Sequence, residues 1–390
     1  MYSVLHIHTD AKFVGNSKRF LNPQFVNTNI LLSNGDVKAT IKDTKVMKKN
    51  FSSINELILL GNKSDLVILY NLDFEKSYIA NRLNRNVLVI WRFFGNELYR
   101  YMNDQVEDDL SRRFNEGSLK GRLDRVWEYL AYLKTKYVSG VDFKEESDRA
   151  ISRCDLFLCF SREEYSFLKR RFKNLPSLLR LPLRASSHEL VPFREKTVKT
   201  GNEIILGNSR NRYNNHGGII EILKRIPSEK VINYKFTLFF SYGLEGDYAA
   251  RVRKEFRELS HVKIIEDFLS KEEFKKIYDD ASALVINGYR QMALSNIYEA
   301  LSRGVKVYLS QKNSDYHWFK NNGLHIFDIE DLLEDITMGT VFISKEEANH
   351  NISQLKKMYS DYTLLDFQNE LLKFVESKKE YDYYMNKEIL

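Results

Sequence analysis

Two hydrophobic rhythms alternate along this chain. Uninterrupted apolar runs such as "DLVILYNL" and "NVLVIWRFFG" have the pattern of strands buried on both faces of a parallel sheet. Between such runs, apolar residues recur every three or four positions, as on one face of a helix. Val4–His8, "NTNILLS" and "DVKATIK" read as strands ahead of the helical "SSINELILLG", and a helix over 74–82 separates the two long runs. A long amphipathic helix over 122–138 sets Trp127, Leu130 and Leu133 on one face. The strand "CDLFLCF" follows, then the helix "SREEYSFLKRRF", with Ser161 as cap and Glu164 at its third position.

Both rhythms vanish in "RASSHELVPFREKTVKTGN", residues 184–202, which reads as a linker. A second alternation follows. Its strands are "EIILGNS", "YKFTLFFSYG", "VKIIEDF", "ALVIN", "VKVYLS" and "HIFDI", and its helices lie over 215–225, 247–259, 271–280 and 296–303. Ser270 and Glu273 form a capping box, and so do Ser344 and Glu347. A chain of 390 residues exceeds what one core usually supports. The pattern therefore predicts two successive α/β domains with parallel sheets, at 1–185 and 200–343. Helices over 344–390, with a stripe of Leu364, Phe367, Leu371 and Phe374, are expected to pack back on the body.

Composition narrows the classes. With 43% hydrophobic and 29% charged residues the chain reads as soluble and globular. Cys154 and Cys159, five apart on one strand, face opposite ways and do not pair, as suits a reducing cytoplasm. The opening "MYSVLHIHTD" lacks the basic region and apolar stretch of a signal peptide, and no window has the roughly 18 apolar residues of a membrane helix. The expected location is cytoplasmic, at most peripheral to a membrane. Residues 1–200 carry a net charge of +10 and the remainder −3. That asymmetry fits an anionic partner for the first half (phosphate-bearing lipid, nucleic acid or charged sugar polymer) or simply a solvated basic surface.

Open parallel sheets bind ligands beyond the carboxyl ends of their strands, and the polar clusters of this chain sit at such ends. In "HIHTDAKF", His6 and His8 share a face, and Asp10, with His8 and Lys12 nearby, is a candidate general base for a hydroxyl. The structural alternative is a capping Asp10 beside hydrogen-bonded sheet histidines. In "WRFFGNELY", Gly95 permits a tight turn or a close ligand, and the aromatic residues suit a sugar ring or a core cluster. In "ILGNSRNRYNNHGG", the N–H groups of Gly207, Asn208 and Ser209 with the following helix dipole suggest a phosphate cradle, to which Arg210 or Arg212 adds charge. Tyr242 and Gly243 of "SYGLEGDY" face the same edge. In "INGYRQMALSNIYEAL", Arg290 offers a planar fork for a phosphate, and Gln291 and Asn296 offer amides for sugar hydroxyls or the helix start. No strand ends in Asp-x-Asp, and HExxH, paired CxxC and G-x-S-x-G are absent from the sequence, which disfavours a metal-dependent mechanism and a hydrolase. The weak dinucleotide fingerprint argues against redox chemistry.

Together "TDAKF", "WRFFGNELY", "ILGNSRNRYNNH" and "YRQMALSNIYEAL" resemble the bacterial 4-acetamido-4,6-dideoxygalactose transferase family, the TDP-Fuc4NAc:lipid II transferases of enterobacterial common antigen synthesis. The family's aromatic segment reads W-x-x-W-G-x-D-L-Y. Trp91, Gly95, Leu98 and Tyr99 match it, while Phe94 replaces Trp and Glu97 replaces Asp. Gly207, Asn208, Ser209, Asn215 and His216 match its G-N-S and Asn-His pair; Arg290, Gln291 and Asn296 match its R-Q and helix start; Asp10, Lys12 and Phe13 match its first-strand motif. The resemblance spans about 4–335 in matching order.

It implies an α/β GT-B fold, two Rossmann-like doubly wound domains facing a cleft, and a metal-independent glycosyltransferase without a cofactor. The donor, a nucleotide-diphosphate sugar such as a dTDP-linked one, would meet Gly207, Asn208, Ser209, Arg210, Tyr242, Gly243, Arg290, Gln291 and Asn296, with its base near Phe268. Asp10, or His8, would deprotonate the acceptor hydroxyl if the configuration inverts; if it is retained, Asp10 would orient the acceptor. Lys12, Trp91, Gly95 and Glu97 would bind that acceptor, an isoprenoid-diphosphate-linked saccharide at the cytoplasmic face of the inner membrane. The basic stretch 161–184 is the expected membrane contact. Two rival readings stay open. A glycosyltransferase acting on DNA bases predicts salt-dependent DNA affinity. A non-catalytic sugar-nucleotide-binding protein predicts binding without turnover.

Overall fold

The apolar runs become strands of two all-parallel sheets. The computed structural model describes residues 1–35, 43–116, 130, 142–183, 202–259 and 261–387. In the first sheet β1 (Tyr2–His8), β2 (Phe25–Ser33), β3 (Thr44–Lys48), β4 (Leu66–Tyr70), β5 (Leu88–Arg92), β6 (Leu156–Cys159) and β7 (Ser177–Arg180) lie in the order β3-β2-β1-β4-β5-β6-β7. In the second, β8 (Glu203–Leu206), β9 (Lys235–Phe239), β10 (Val262–Ile265), β11 (Ala281–Ile286), β12 (Lys306–Leu309) and β13 (Phe327–Asp328) lie in the order β10-β9-β8-β11-β12-β13. Both are doubly wound, and in each the winding reverses between the first and fourth strands. In open parallel sheets, ligands bind beyond the carboxyl ends at such a reversal. The reversal points are β1/β4, with Ile7 opposite Leu69, and β8/β11, with Leu206 opposite Val285.

β4 and β5 are buried at every position, as uninterrupted apolar strands under helices must be. In the first core Leu66, Ile68, Leu88, Ile90, Leu156 and Leu158 meet Phe367, Leu371 and Val375 of the helix Leu364–Lys387. In the second, Leu206, Phe236, Leu238 and Val285 meet Ile219, Ile220, Val252 and Phe256.

The two units do not follow chain order. One comprises Met1–Leu98, Ala131–Glu189 and Tyr359–Leu390, the other Tyr99–Leu130 and Leu190–Met358. Apolar burial explains the exchange. Phe114, on the helix Asp109–Glu116, belongs to the second core, and Phe367 belongs to the first. The expected strand at 36–42 lies outside the described residues, and the strand beside β2 is 44–48. Most of the expected helix 122–138 and linker 184–202 also lie outside them. β7 falls within the basic stretch, where no strand was expected. Cys154 and Cys159 are buried and unpaired.

Candidate functional site

At the β8/β11 reversal the chain closes what looked like a phosphate cradle. The Gly207 N–H donates to Val285 O at 2.9 Å, and the Asn208 N–H to Asn214 Oδ1 at 3.1 Å. The start of the helix His216–Lys224 is occupied from within the same unit. Gly217 N donates to Ser111 Oγ at 2.9 Å, and Gly218 N to Asp108 Oδ2 at 3.0 Å. A carboxylate of the chain thus holds the positive end of that helix, where a dinucleotide-binding domain would hold a phosphate. The glycines permit this approach, since a Cβ on Gly217 would lie 2.6 Å from Ser111 N. Asn215 and Asn287 lock the reversal point, each donating its side-chain amide to the other's backbone carbonyl at 3.0 Å. His216 is buried against Tyr248, 2.8 Å from its hydroxyl, and burial lowers its pKa to about 3.

Arg210 also turns inward. Its Nε and Nη2 donate to the Phe240 and Ser241 carbonyls at 3.0 Å, and it pairs with Glu245. Arg212 pairs with Glu107 at 2.9 Å. Gly207, Asn208 and Arg210, expected to meet phosphate, make these hydrogen bonds within the second unit. Ser209 is buried beside them, with its carbonyl accepting from Asn214 Nδ2 at 3.1 Å. Tyr242 accepts from Asn208 Nδ2 at 2.7 Å, and its ring is stacked with Phe268.

Arg290 at this edge has no anionic partner among the described residues. Arg290, in the turn after β11, lies with its Cζ 4.6 Å from the Tyr213 ring centroid and 5.2 Å from that of Tyr99. Its Nε is buried with no hydrogen-bond partner, and no carboxylate pairs with it among the described residues. The helix Leu294–Ser302 that follows starts at Ala293 in the left-handed region (φ 57°), without a side-chain cap. It begins two residues before the expected start at 296. Asn296 is consequently the third helical residue, and its side-chain amide donates to the Tyr278 hydroxyl at 2.9 Å. Gln291 donates to Asp315 Oδ1 at 2.8 Å.

The first unit separates the two candidate bases. His6 Nε2–H donates to Asn27 Oδ1 at 2.7 Å, and the Tyr70 hydroxyl lies 3.0 Å from its Nδ1. His8 is fully buried and stacked on Tyr70, with ring centroids 3.9 Å apart. Neither of its nitrogens has a partner within hydrogen-bond geometry among the described residues, although the Asn29 side chain is placed to favour the charged ring. Burial, then His6 and Lys76, lower its pKa to about 3. A base for an incoming hydroxyl needs access, so the catalytic role expected of His8 does not fit this geometry. Asp10 is exposed and caps the turn Ala11–Phe20 by accepting from Lys12 N at 2.9 Å; Lys12 is exposed beside it. Sequence reasoning missed the network next to it: Thr9 Oγ1 donates to Asp73 Oδ2 at 2.6 Å, and the buried Lys76 reaches both. Its signal was only an aspartate capping a helix four residues after a buried strand.

The segment 91–99, expected to meet an acceptor, is bonded within itself. Trp91 is fully buried, and Glu97 Oε1 accepts from its Nε1 at 3.3 Å and from Phe94 N at 3.1 Å. Gly95 turns the chain at φ 110°, and burial raises the Glu97 pKa. Trp91 and Glu97 hold the turn instead of facing an acceptor. Phe94, half-buried and stacked on Phe13 at 4.2 Å, is the ring this turn carries outward.

The histidines make a prediction about acid. The unfolded chain takes up a proton on His8 below about pH 6.5, whereas the folded chain refuses it down to about pH 3. Stability is therefore complete above pH 6.5 and falls on acidification, by about 1.4 kcal/mol per pH unit for this imidazole. Urea unfolding of wild type and His8→Gln at about pH 7 and pH 5 should show a smaller acid loss in the variant. Equal losses would contradict the assignment.

No family model and no curated protein matches this sequence. Solved structures do match its fold. HepE of Anabaena in complex with UDP and glucose is 11% identical, covering 97% of this chain and 100% of its own, with a TM-score of 0.59. Sucrose-phosphate synthase of Thermosynechococcus elongatus is 9% identical over 97% and 99%, TM-score 0.61. The lipopolysaccharide outer core galactosyltransferase WaaB, in its apo form, is 13% identical over 96% and 99%, TM-score 0.57. These likenesses define the fold class: two Rossmann-like parallel-sheet units, the GT-B fold of glycosyltransferases.

Proposed function

We propose that the chain is a glycosyltransferase that takes a nucleoside diphosphate sugar at the carboxyl edge of the β8–β13 sheet. The observation that carries this is Arg290: a guanidinium flanked by two tyrosine faces, beside an uncapped helix start, with no anion of its own among the described residues. A diphosphate leaving group gains negative charge as the glycosidic bond breaks, and a fixed fork with helix amides stabilises that charge without reorganising. Asp10, exposed at the β1/β4 reversal, takes the acceptor's proton in an inverting reaction or orients the acceptor in a retaining one. HepE, of the same fold, binds UDP and glucose, which supports a nucleotide-sugar donor.

The finer reading follows the sequence resemblance: a dTDP-linked deoxy-amino sugar of the Fuc4NAc kind, moved without a metal ion to an isoprenoid-diphosphate-linked saccharide in bacterial surface polysaccharide synthesis. Arg162, Arg170, Arg171 and Lys173 are exposed on and just after the helix Arg162–Arg171, which supports contact with an anionic lipid face. No described helix is long and apolar enough to cross a membrane. The test is transfer by the purified protein from dTDP- and UDP-sugars to lipid-linked acceptors in EDTA, followed as release of nucleoside diphosphate. Transfer should persist. Abolition by EDTA overturns the metal-free route, and donor binding without turnover on any acceptor makes the chain a sugar-nucleotide-binding protein.

A further inference from the structure

Arg92 ends β5 at the carboxyl edge of the first sheet and is only 6% exposed. Its guanidinium lies between two rings. Cζ is 4.6 Å from the Phe94 centroid and 4.8 Å from that of Phe160, the residue after β6. Nη1 donates to the Phe93 and Leu158 carbonyls. Nε is sealed from solvent without a partner, and Nη2 makes no hydrogen bond among the described residues. No carboxylate pairs with this cation among them; Glu164 and Glu97 act on it only at longer range. A buried charge is costly unless it is paired, and ring faces compensate only in part.

A second guanidinium shares the place. Arg19, buried near the end of the turn Ala11–Phe20, has its Cζ 5.9 Å from the same Phe160 ring and donates to Asn16 Oδ1 at 2.8 Å. Burial, then the charge of Arg19, lower the Arg92 pKa to about 10. An apolar residue at 92 would escape both penalties, so packing does not explain the arginine. Phosphate suits the place: its charged oxygens can meet Nη2 and face both guanidinium groups at once.

We infer that Arg92 and Arg19 form a phosphate-binding site in the first unit, walled by Phe94 and Phe160, for a ligand bearing a diphosphate or a phosphate monoester. The site goes beyond the donor reading. Arg290 belongs to the second unit, and the Arg92 site stands whether or not a sugar is transferred. The phosphate comes from a soluble ligand or from a lipid headgroup.

The experiment is calorimetry with inorganic pyrophosphate, beside urea unfolding, on wild type, Arg92→Met, Arg92→Lys and Arg290→Ala. Arg290→Ala should still bind pyrophosphate. Arg92→Met should weaken that binding by about tenfold, and Arg92→Lys by less. Without pyrophosphate, Arg92→Met should unfold at no lower urea concentration than wild type, because it removes an unpaired buried charge. Sedimentation with phosphatidylcholine vesicles containing phosphatidic acid separates the two sources. Loss of sedimentation in Arg92→Met assigns the phosphate to a lipid headgroup, and unchanged sedimentation with lost pyrophosphate binding assigns it to a soluble ligand. The site is overturned if Arg92→Met binds pyrophosphate and vesicles as wild type does. Earlier unfolding of Arg92→Met by an equal amount with and without pyrophosphate makes Arg92 a structural residue. Pyrophosphate binding that Arg290→Ala abolishes, with vesicles ignored, removes this site and leaves the donor reading standing.

Discussion

Arg290→Ala should lower kcat/KM for a nucleoside diphosphate sugar by about 10²–10³-fold, the range for deleting one preorganised donor from a developing negative charge. The unfolding midpoint should scarcely move. Arg290 makes no ion pair among the described residues, and it contacts the Tyr213 and Tyr99 rings at a half-buried site. Each such contact is worth only about 0.5–1 kcal/mol when exposed. Arg290→Lys should recover a minor part of the rate, because an ammonium restores the charge but neither the fork nor the stacking plane. Steady-state kinetics beside denaturant unfolding separate the two effects. An alanine variant with full turnover removes the central assignment; one that melts several degrees lower with proportionate loss of activity makes Arg290 a structural residue.

Asp108→Ala should cost about 2–3 kcal/mol of stability. Its carboxylate accepts from Ser111 N at 2.6 Å, Ser111 Oγ at 3.1 Å and Gly218 N at 3.0 Å. One side chain thus serves the starts of two helices, Asp109–Glu116 and His216–Lys224. Hydrogen bonds to a charged acceptor contribute about 1.5–3 kcal/mol, and leaving buried amides unpaired carries the desolvation penalty on top. Asp108→Asn, which keeps one acceptor oxygen, should lose less. Inorganic phosphate should restore part of the stability of Asp108→Ala and do little for wild type, because it can occupy the vacated helix start. Equal midpoints for Asp108→Ala and wild type would show that the strap is incidental.

The strands were legible because a parallel strand under helices needs an apolar residue at nearly every position, and "LVILY" or "ALVI" offers few other folds. The capping box at Ser270 and Glu273 was equally plain, since both partners lie within four residues. Arg290 stood out for a related reason: a turn between a buried strand and a helix seldom needs a guanidinium. The carboxylate at the glycine-opened helix start was not legible, because nothing local reveals that Asp108, about a hundred residues earlier, lies there. Trp91 and Glu97 were assigned to an acceptor because an aromatic residue beside an acid reads alike whether it faces a sugar or its neighbour. The left-handed Ala293 that moves the helix start away from Asn296 has no sequence signal, alanine being rare there.

By itself, then, the sequence determined two parallel-sheet units and the short polar stretches at their carboxyl edges, because hydrophobic periodicity and capping act within a few residues. Only the tertiary structure decided which polar groups are still available to a ligand. A donor or acceptor is consumed by whatever partner the fold brings within about 3 Å, and the partners that mattered here, Asp108 for Gly218 and Tyr213 for Arg290, lie far away along the chain.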